Sequence, residues 1–180
     1  MVIECATCRL RPLVPGDAAS LSEHANNRKI WLNVSDRFPH PFTIEDAEGF
    51  IAEKSGRRRP TDLGIEVDGA AVGDVELFLG AGVERITAVI GYWLGEAYWG
   101  RGIMSDAVAA MTRYGFENFE LERITALVFT ENHGSARVLE KAGFRREAVL
   151  RRSAIKEGRI LDQYLYAILR DESDAHTRKS

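Results

Sequence analysis

The chain has little of what would set it apart from ordinary globular proteins. Only 2 of its 180 residues are cysteine and 5 are proline, and 24 basic residues nearly balance 27 acidic ones. Two cysteines exclude a disulfide framework, and a formal charge of −3 argues against a dedicated nucleic-acid-binding protein. No apolar run approaches the ~18 residues that a transmembrane helix needs. The first twelve residues, MVIECATCRLRP, lack the apolar stretch of a signal peptide.

The remaining composition is that of a folded domain. Hydrophobic residues make up 45% of the chain and charged residues 28%, which excludes disorder. Because ordinary domains run to roughly 100–200 residues, we expect one domain over residues 1–180. We further predict a cytoplasmic protein without a membrane or nucleic-acid partner. Exposed sheet edges would be compatible with a homodimer.

The two cysteines, Cys5 and Cys8, form a C-x-x-C pair. A zinc site needs a second such pair or two histidines at fixed spacing, and neither follows. If the segment is a strand, residues three apart point to opposite faces, and the thiols are separated. We therefore interpret them as two reduced cysteines and not as a redox pair.

In the first half of the chain, Asp17 is expected to cap a helix through about Ala25, and Thr43 a second helix that fades near Ser55-Gly56. Asp68-Gly69 predicts a tight hairpin turn. The predicted strands cover residues 8–13, 63–67, 72–79 and 86–94, and a loop covers residues 35–42.

In the second half, helices are expected at residues 104–119 and 135–142, the second one ended by Gly143. Further strands are expected at residues 123–130, 144–150 and 160–169, the last two joined around Glu157-Gly158. Arg57-Arg58-Arg59 is interpreted as a solvated loop, and the tail from Asp171 as frayed. This order of elements predicts a mixed α/β or α+β sheet.

The segment with most chemical information is a glycine-rich turn between a strand and a helix, Gly95 to Gly102. Glycines let backbone N–H groups converge, and a helix N-terminus adds about half a positive charge, so the turn suits a phosphate or diphosphate. A tight turn that uses glycine for steric reasons alone is the alternative. A P-loop would need Lys and Ser/Thr where Arg101 and Gly102 stand, and a dinucleotide fingerprint would need a third glycine at Ser105.

This segment, Trp99-Gly100-Arg101-Gly102-Ile103-Met104, resembles the coenzyme A diphosphate loop of GNAT-superfamily N-acetyltransferases, written Q/R-x-x-G-x-G/A. Gly91-Tyr92-Trp93-Leu94 and the stretch from Glu131-Asn132 through Ser135 to Gly143-Phe144 are similar to its RimJ/RimL branch. The similarity extends over about residues 8–170. Trp99 and Met104 depart from the family pattern, which for Met104 has little consequence because only the backbone N–H is needed.

The resemblance implies the GNAT fold: a mixed, mostly antiparallel sheet of about six to seven strands, flanked by helices and splayed at the central strands. It also implies acetyl-CoA as co-substrate, no metal, and attack of an amine on the thioester in a ternary complex. The implied coenzyme contacts are Tyr92, Trp93, Leu94, Gly100, Arg101, Gly102, Ile103, Met104, Asn132 and Ser135. For Asn132 and Ser135, helix capping is an equally good explanation.

The acceptor would be a primary amine of a small molecule or of a protein N-terminus. Glu76 and Glu66, on adjacent strands, are the candidate bases, and Asp74 lies on the same face of its strand as Glu76. Ser135 or water would protonate the departing thiolate, and the amide of Leu94 would hold the oxyanion. Glu66 and His40 are candidates for binding the acceptor. A solvated carboxylate is the alternative for Glu76, and an incidental loop histidine the alternative for His40.

Two other function classes remain open at this point. A nucleotide-binding kinase or ATPase would bind ATP with Mg²⁺, whereas the acetyltransferase would bind coenzyme A without metal. A non-catalytic module that senses acyl-CoA on the same fold would bind coenzyme A and acetylate no amine.

Overall fold

The computed structural model describes residues 1–54 and 59–177, with side chains described up to residue 173. The chain divides into two compact units, each assembled from two stretches of sequence. The first unit comprises Met1–Glu76 and Tyr92–Ala107, and the second comprises Leu77–Gly91 and Val108–Ser180. That the chain acts as one acetyltransferase domain stays a prediction.

The elements come in two groups along the chain. The first part contains strands and short helices: β1 (Ile3–Glu4), β2 (Arg9–Arg11), α1 (Ala18–Ala25), α2 (Arg28–Trp31), α3 (Ile44–Lys54), β3 (Asp62–Val67) and β4 (Ala70–Leu79). The second part alternates longer elements: β5 (Thr87–Leu94), α4 (Ile103–Asn118), β6 (Arg123–Phe129), α5 (His133–Lys141), β7 (Arg145–Lys156), β8 (Arg159–Leu169) and α6 (Arg170–Thr177).

The strands form one mixed sheet, in the order β1-β2-β3-β4-β5-β6-β8-β7. The described residues thus give eight strands, where six or seven were expected, and the two-residue β1 at the edge is one that the pattern did not indicate. β5 and β6 pair in parallel, and their register ends at Val89 opposite Thr125. Both strands continue beyond that point, as expected for a sheet that splays at its centre.

Turn and cap chemistry explains why several predicted boundaries are confirmed. Asp68 and Gly69 both have positive φ, +52° and +84°, as the tight primed turn between β3 and β4 requires. The Thr43 hydroxyl accepts from the Asp46 amide at 3.2 Å, and Asp46 accepts in return from the Thr43 amide at 2.8 Å. Gly143, with φ +93°, ends α5 as predicted.

The core of the first unit is a cluster of apolar side chains from α1, α2, α3 and the sheet. Leu21, Ala25 and Ala47 are fully buried there, and Phe38, Phe42 and Trp93 pack against one another as aromatic neighbours. In the second unit α4 lies close to the sheet at Gly115, where an added Cβ would come within 2.7 Å of a Leu77 methyl carbon.

Four expectations are wrong or incomplete. Asp17 precedes α1, but its carboxylate accepts from the Val14 amide and from Arg11, at 2.7–2.8 Å, so it does not cap the helix with its side chain. The tail from Arg170 is helical through Thr177. β7 extends to Lys156, past the predicted end at Leu150, through an irregularity that includes Arg152. The four-residue helix α2 was not predicted.

One more correction concerns the cysteines. Residues 3–11 form a hairpin and not a single strand, and Cys5 donates its backbone N–H to the Cys8 carbonyl at 2.9 Å. The thiols therefore lie side by side instead of on opposite faces, and neither is in a disulfide. The predicted fading of the second helix at Ser55-Gly56 lies outside the described residues, as do Arg57 and Arg58.

Candidate active site

The corner between β5 and α4 is open on the side of its glycines. A 3₁₀ turn, Glu96–Tyr98, leads from the strand into Gly100 and Gly102, whose φ values are +75° and +82°. A Cβ at either glycine would meet no atom within 4 Å. Glycine at these two positions therefore serves the backbone conformation and leaves free space beside it.

The amides of this corner are available to an anion. Asp106 donates its N–H to the Gly102 carbonyl at 3.1 Å, which is the first hydrogen bond of α4. The amides of Gly102, Ile103 and Met104 precede it and, within the described residues, form no backbone hydrogen bond. Since the side chains of Ile103 and Met104 are buried, only their backbone groups are offered. The positive end of the helix dipole adds to this arrangement.

Hydrogen bonds and an ion pair within the first unit hold the corner between β5 and α4 in place. The Trp99 indole N–H donates to the Leu94 carbonyl at 2.7 Å. Glu96 accepts a hydrogen bond from the side-chain amide of Asn27 at 2.8 Å and forms an ion pair with Lys29. The Gly95 amide donates to the Val72 carbonyl at 2.8 Å. The corner is therefore fixed to α2 and β4 and is not a free loop.

The predicted coenzyme residues next to the corner differ in exposure. Arg101 is exposed, with its guanidinium carbon 5.3 Å from the centre of the Tyr98 ring. Trp93 and Leu94 are buried and Tyr92 is half-buried, so their side chains serve packing. At Gly73 an added Cβ would lie 2.4 Å from the Trp93 carbonyl oxygen, so β4 needs glycine where β5 passes so closely.

Asn132 and Ser135 belong to the second unit, at the start of α5. The Asn132 side chain accepts from the Ser135 amide at 3.1 Å, so the capping role of Asn132 is confirmed. Both residues are half-buried. Their contact with the coenzyme, and the part of Ser135 in protonating a thiolate, stay predictions.

Glu76 lies in a buried group of charges. The Lys54 ammonium contacts Glu76 at 2.7 Å and Asp74 at 3.5 Å, which confirms that both acids share one face of β4. Lys54 also lies 4.1 Å from the centre of the Phe50 ring. Burial raises the pKa of Asp74 to about 7, and its second oxygen, Oδ1, is buried without a hydrogen-bond partner. Glu76 is thus not a solvated carboxylate.

Glu66 and His40 have partners of their own. Glu66 bonds the guanidinium groups of Arg9, at 3.0 Å, and Arg11. The hydrogen bond from Arg11 is the main reason that the pKa of Glu66 lies below its usual value. His40 is exposed and stacks on Trp31, with ring centres 5.5 Å apart. Their roles in acceptor binding stay predictions.

Sequence reasoning missed the contacts of four residues in this region. Lys54 could have been suspected only from its position near the end of a predicted helix, because its acidic partners come from a strand twenty residues later. Trp99 was noted as a departure from the family pattern, but the acceptor of its indole N–H could not be read from the chain. Asn27 and Lys29 gave no signal, since they act from the unpredicted α2.

The profile of the family described as "Acetyltransferase (GNAT) domain" matches residues 8–145. The chain belongs to the GNAT acetyltransferases. It is 35% identical over 175 residues to the "Probable N-acetyltransferase YjcK" of Bacillus subtilis, covering 93% of this chain and 97% of that protein. It is 34% identical over 85 residues to the "Ribosomal-protein-serine acetyltransferase" of Escherichia coli, covering 47% and 48%.

Among solved structures, "Mycobacterium smegmatis RimJ in complex with CoA-disulfide" resembles this GNAT chain with a TM-score of 0.85. The two are 26% identical, and the match covers 99% of this chain and 94% of that one. The predicted GNAT fold and the RimJ/RimL resemblance are thereby confirmed. The chain is an acetyl-CoA-dependent N-acetyltransferase.

The residues present fit coenzyme A, which carries a diphosphate. The amides of Gly102, Ile103 and Met104 need an acceptor, and the space at Gly100 and Gly102 can admit one. Within residues 1–54 and 59–177, the side chains described form no group of three or more His, Cys, Asp and Glu that could hold a metal ion. In the same part of the chain no helix is both long and apolar enough to span a membrane.

Proposed function

We propose that this acetyltransferase transfers the acetyl group of acetyl-CoA to a primary amine, with the α-amino group of a protein N-terminus as its acceptor. The observation that carries the proposal is the corner at Gly100–Gly102, with its free amides at the start of α4. The acceptor class is supported by the similarity to a ribosomal-protein-serine acetyltransferase.

Coenzyme binding uses the backbone in this proposal. The amides of Gly102, Ile103 and Met104 donate to the diphosphate, with the Gly100 and Arg101 amides beside them, and the exposed Arg101 guanidinium adds a charge. The backbone groups of Tyr92, Trp93 and Leu94 bind the pantetheine arm. An oxyanion needs a hydrogen-bond donor, and the backbone amide of Leu94 is the proposed one. When bound, acetyl-CoA supplies an activated acyl carbon as a thioester.

The acceptor nitrogen attacks that carbon directly. Its lone pair forms the new C–N bond, the C–S bond breaks, the ammonium proton passes to a base, and the sulfur takes a proton from Ser135 or water. An α-amino group has a pKa of about 7.7–8.0, whereas that of lysine is about 10.4, so an N-terminus needs much less help to lose its proton. A carboxylate acting through water suffices, and Glu76 is the proposed base.

The decisive experiment is a screen of acetyl-CoA turnover, with release of free thiol as the readout. The acceptors are short peptides with free N-termini, the same peptides blocked at the N-terminus but carrying an internal lysine, and small amines. We expect thiol release and a mass gain of one acetyl group with the free N-terminal peptides. Turnover with the blocked peptides alone would overturn the acceptor assignment.

Two variants test the role of the acid group. Glu76→Gln should lower kcat by about 10²-fold or more if Glu76 is the base, with little change in coenzyme affinity. Glu45→Gln, in the exposed first turn of α3, is the matched control and should keep full activity. A chain that binds coenzyme A but acetylates no amine would instead be a non-catalytic acyl-CoA-binding module. A cytoplasmic location and a homodimer stay predictions.

A further inference from the structure

Cys5 and Cys8 face each other across the first hairpin of the chain. Glu4 lies opposite Arg9 in the pairing of β1 with β2, so the next opposed positions are Cys5 and Cys8, with only Ala6 and Thr7 between them. Opposed residues of an antiparallel pair have Cα atoms about 4.5–5.5 Å apart, which is within the 4.4–6.8 Å range of disulfides. The hairpin therefore places the two cysteines at a backbone spacing that suits a disulfide.

The two thiols differ in environment. Cys8 is buried and Cys5 is half-buried, and both line an open depression of about 440 Å³ together with Thr7 and Arg9. The hydrogen bond with Cys5, and then burial, raise the pKa of the Cys8 thiol well above its ordinary value. Cys8 thus stays protonated, and Cys5 is the sulfur that a reagent in solvent can reach first.

The hairpin is connected to the first turn of α4. The Thr7 hydroxyl, between the two cysteines, donates to Asp106 Oδ2 at 2.6 Å. The Cys8 thiol donates to the Ile103 carbonyl at 4.0 Å. Both acceptors belong to the helical turn whose amides are offered to the diphosphate. Losing the Thr7 bond would remove a hydrogen-bond donor from the Asp106 carboxylate, whose negative charge lies in the same helical turn as that anion site.

We propose that small-molecule disulfides oxidise Cys5 and Cys8 to an intramolecular disulfide, and that this oxidation weakens coenzyme binding at the start of α4. The second part rests on the proposed function of the glycine corner. The disulfide removes the Cys8 S–H that contacts Ile103 and tightens the two-residue loop that carries Thr7. The pair is thus a redox-sensitive modification site of this acetyltransferase.

The chemistry is thiol–disulfide exchange. The Cys5 thiolate attacks one sulfur of the small disulfide RS–SR, so that a Cys5–SR bond forms, the S–S bond breaks and RS⁻ leaves with a solvent proton. Once Cys5 carries the SR group, its hydrogen bond with the Cys8 thiol is lost, and Cys8 can give its proton to solvent. The Cys8 thiolate then attacks the Cys5 sulfur, the Cys5–SR bond breaks, and the second RS⁻ leaves with a solvent proton. The protein loses two hydrogens and is oxidised, while the small disulfide is reduced to two thiols.

The test equilibrates the full chain with reduced and oxidised glutathione at set ratios. Free thiols and intact mass are measured, and the affinity for coenzyme A is determined by calorimetry in each state. We expect loss of both thiols, a mass lower by two hydrogens and a coenzyme Kd at least threefold higher, all reversed by dithiothreitol. A stable glutathione adduct without ring closure, or an unchanged Kd after oxidation, would overturn the proposal.

Two variants separate the parts of the argument. Cys5→Ser cannot form the disulfide, so its Kd should match the reduced wild type at every glutathione ratio. Thr7→Val keeps both thiols but loses the bond to Asp106, so its Kd should be raised already in the reduced state. If the reduced wild type fails to bind coenzyme A, the proposed function itself is overturned. If it binds coenzyme A with a Kd that oxidation does not change, only the proposed effect of the disulfide is overturned.

Discussion

The indole N–H of Trp99 donates a 2.7 Å hydrogen bond to the carbonyl oxygen of Leu94, five residues earlier. Leu94 ends β5 and is buried, whereas Trp99 is 45% exposed, so the ring lies on the surface while its N–H satisfies a buried acceptor. The bond closes the corner that leads into α4. A residue that departs from the family pattern is therefore part of what shapes the glycine corner.

The first prediction concerns this bond. Trp99→Phe keeps an aromatic ring but leaves the Leu94 carbonyl without its donor, and an unsatisfied buried acceptor costs about 1–3 kcal/mol. We expect the free energy of unfolding to fall by about that amount, as measured by urea denaturation. The corner should also become less ordered, with a coenzyme Kd several-fold higher.

Tyr98→Phe is the matched control, because it changes the neighbouring residue and retains the ring that contacts His24 and Arg101. Its unfolding free energy should stay within about 0.5 kcal/mol of wild type, as for most substitutions away from such features. If Trp99→Phe unfolds at the same urea concentration as wild type, the hydrogen bond from Trp99 to Leu94 does not contribute to stability.

The second prediction tests the glycine at the helix start. Gly102 has φ +82°, and an alanine there costs about 1–2 kcal/mol in the left-handed region and places a methyl group in the open space of the corner. Gly102→Ala should therefore lower the unfolding free energy by about that amount and weaken coenzyme A binding about tenfold, as measured by calorimetry.

Gly16→Ala provides the comparison. Gly16 lies in an exposed 3₁₀ turn, an added Cβ would meet nothing within 4 Å, and its φ is not positive. This variant should bind coenzyme A as wild type does. Equal affinities for the two variants would show that the corner at Gly102 does not hold the diphosphate.

The third prediction is a pH dependence of stability that comes from Asp74. Burial raises its pKa to about 7, with Glu76 and Asp62 adding to the rise and Lys54 opposing it. An unfolded Asp has a pKa of about 3.9, so between about pH 4 and pH 7 the folded state keeps a proton that the unfolded state releases. Stability from this group therefore falls as pH rises through that window, by at most about 1.4 kcal/mol per pH unit.

Asp74→Asn removes this titration. Urea denaturation at pH 5, 6, 7 and 8 should show a difference between variant and wild type that shifts in favour of the variant from pH 5 to pH 7 and then levels off. Carboxylates with a lowered pKa, such as Asp17 and Glu66, lose their contribution only in more acidic solution and affect both proteins alike. Parallel profiles would mean that Asp74 is ionised throughout.

Lys54→Met provides a second test of the titration of Asp74. Because the lysine lowers the pKa of Asp74, its removal should raise that pKa further, and the fall in stability should continue above pH 7. If the stability of Lys54→Met stops falling at a lower pH than that of wild type, the placement of Lys54 beside Asp74 is contradicted.

Local chemistry explains which parts of the fold could be predicted from the sequence. Asp68-Gly69 and Glu157-Gly158 both adopt positive φ because their turns demand it, and Gly143 ends α5 for the same reason. The spacing of Met104, Val108, Met111, Gly115 and Phe119 predicts one face of a helix; the first four are buried in α4, whereas Phe119 is half-buried and follows its last residue. Such features depend on residues a few positions apart, which a single sequence displays.

The errors come from partners distant in the chain or from elements too short to show a period. Asp17 has the right residue type for a helix cap, but Arg11 and the Val14 amide take its carboxylate. β1 has two residues and α2 has four, so neither has a pattern to read. The cysteine hairpin was missed for this reason, and with it the contact between the thiols.

In the candidate site, too, contiguous motifs could be predicted from the sequence, whereas contacts between distant residues could not. The glycine corner was recognisable because its motif is contiguous, whereas the environment of Glu76 depends on Lys54 from another element. A carboxylate that the sequence presents as one of many surface acids is thus half-buried against a cation. No spacing rule connects a helix end to a strand twenty residues later.

The last prediction concerns a glycine-to-alanine substitution in each of two helices, which we expect to change the free energy of unfolding in opposite directions. In α3, Gly49 has nothing within 4 Å of an added Cβ, so Gly49→Ala should raise the unfolding free energy by about 0.5–1 kcal/mol through better helix propensity. In α4, a Cβ at Gly115 would come within 2.7 Å of Leu77 and 3.3 Å of Ile124, both buried. Overpacking of this kind costs about 1–3 kcal/mol, so Gly115→Ala should destabilise despite the same gain in propensity. Urea denaturation of both variants decides the matter, and stabilisation at both positions would mean that α4 can move away from the sheet at little cost.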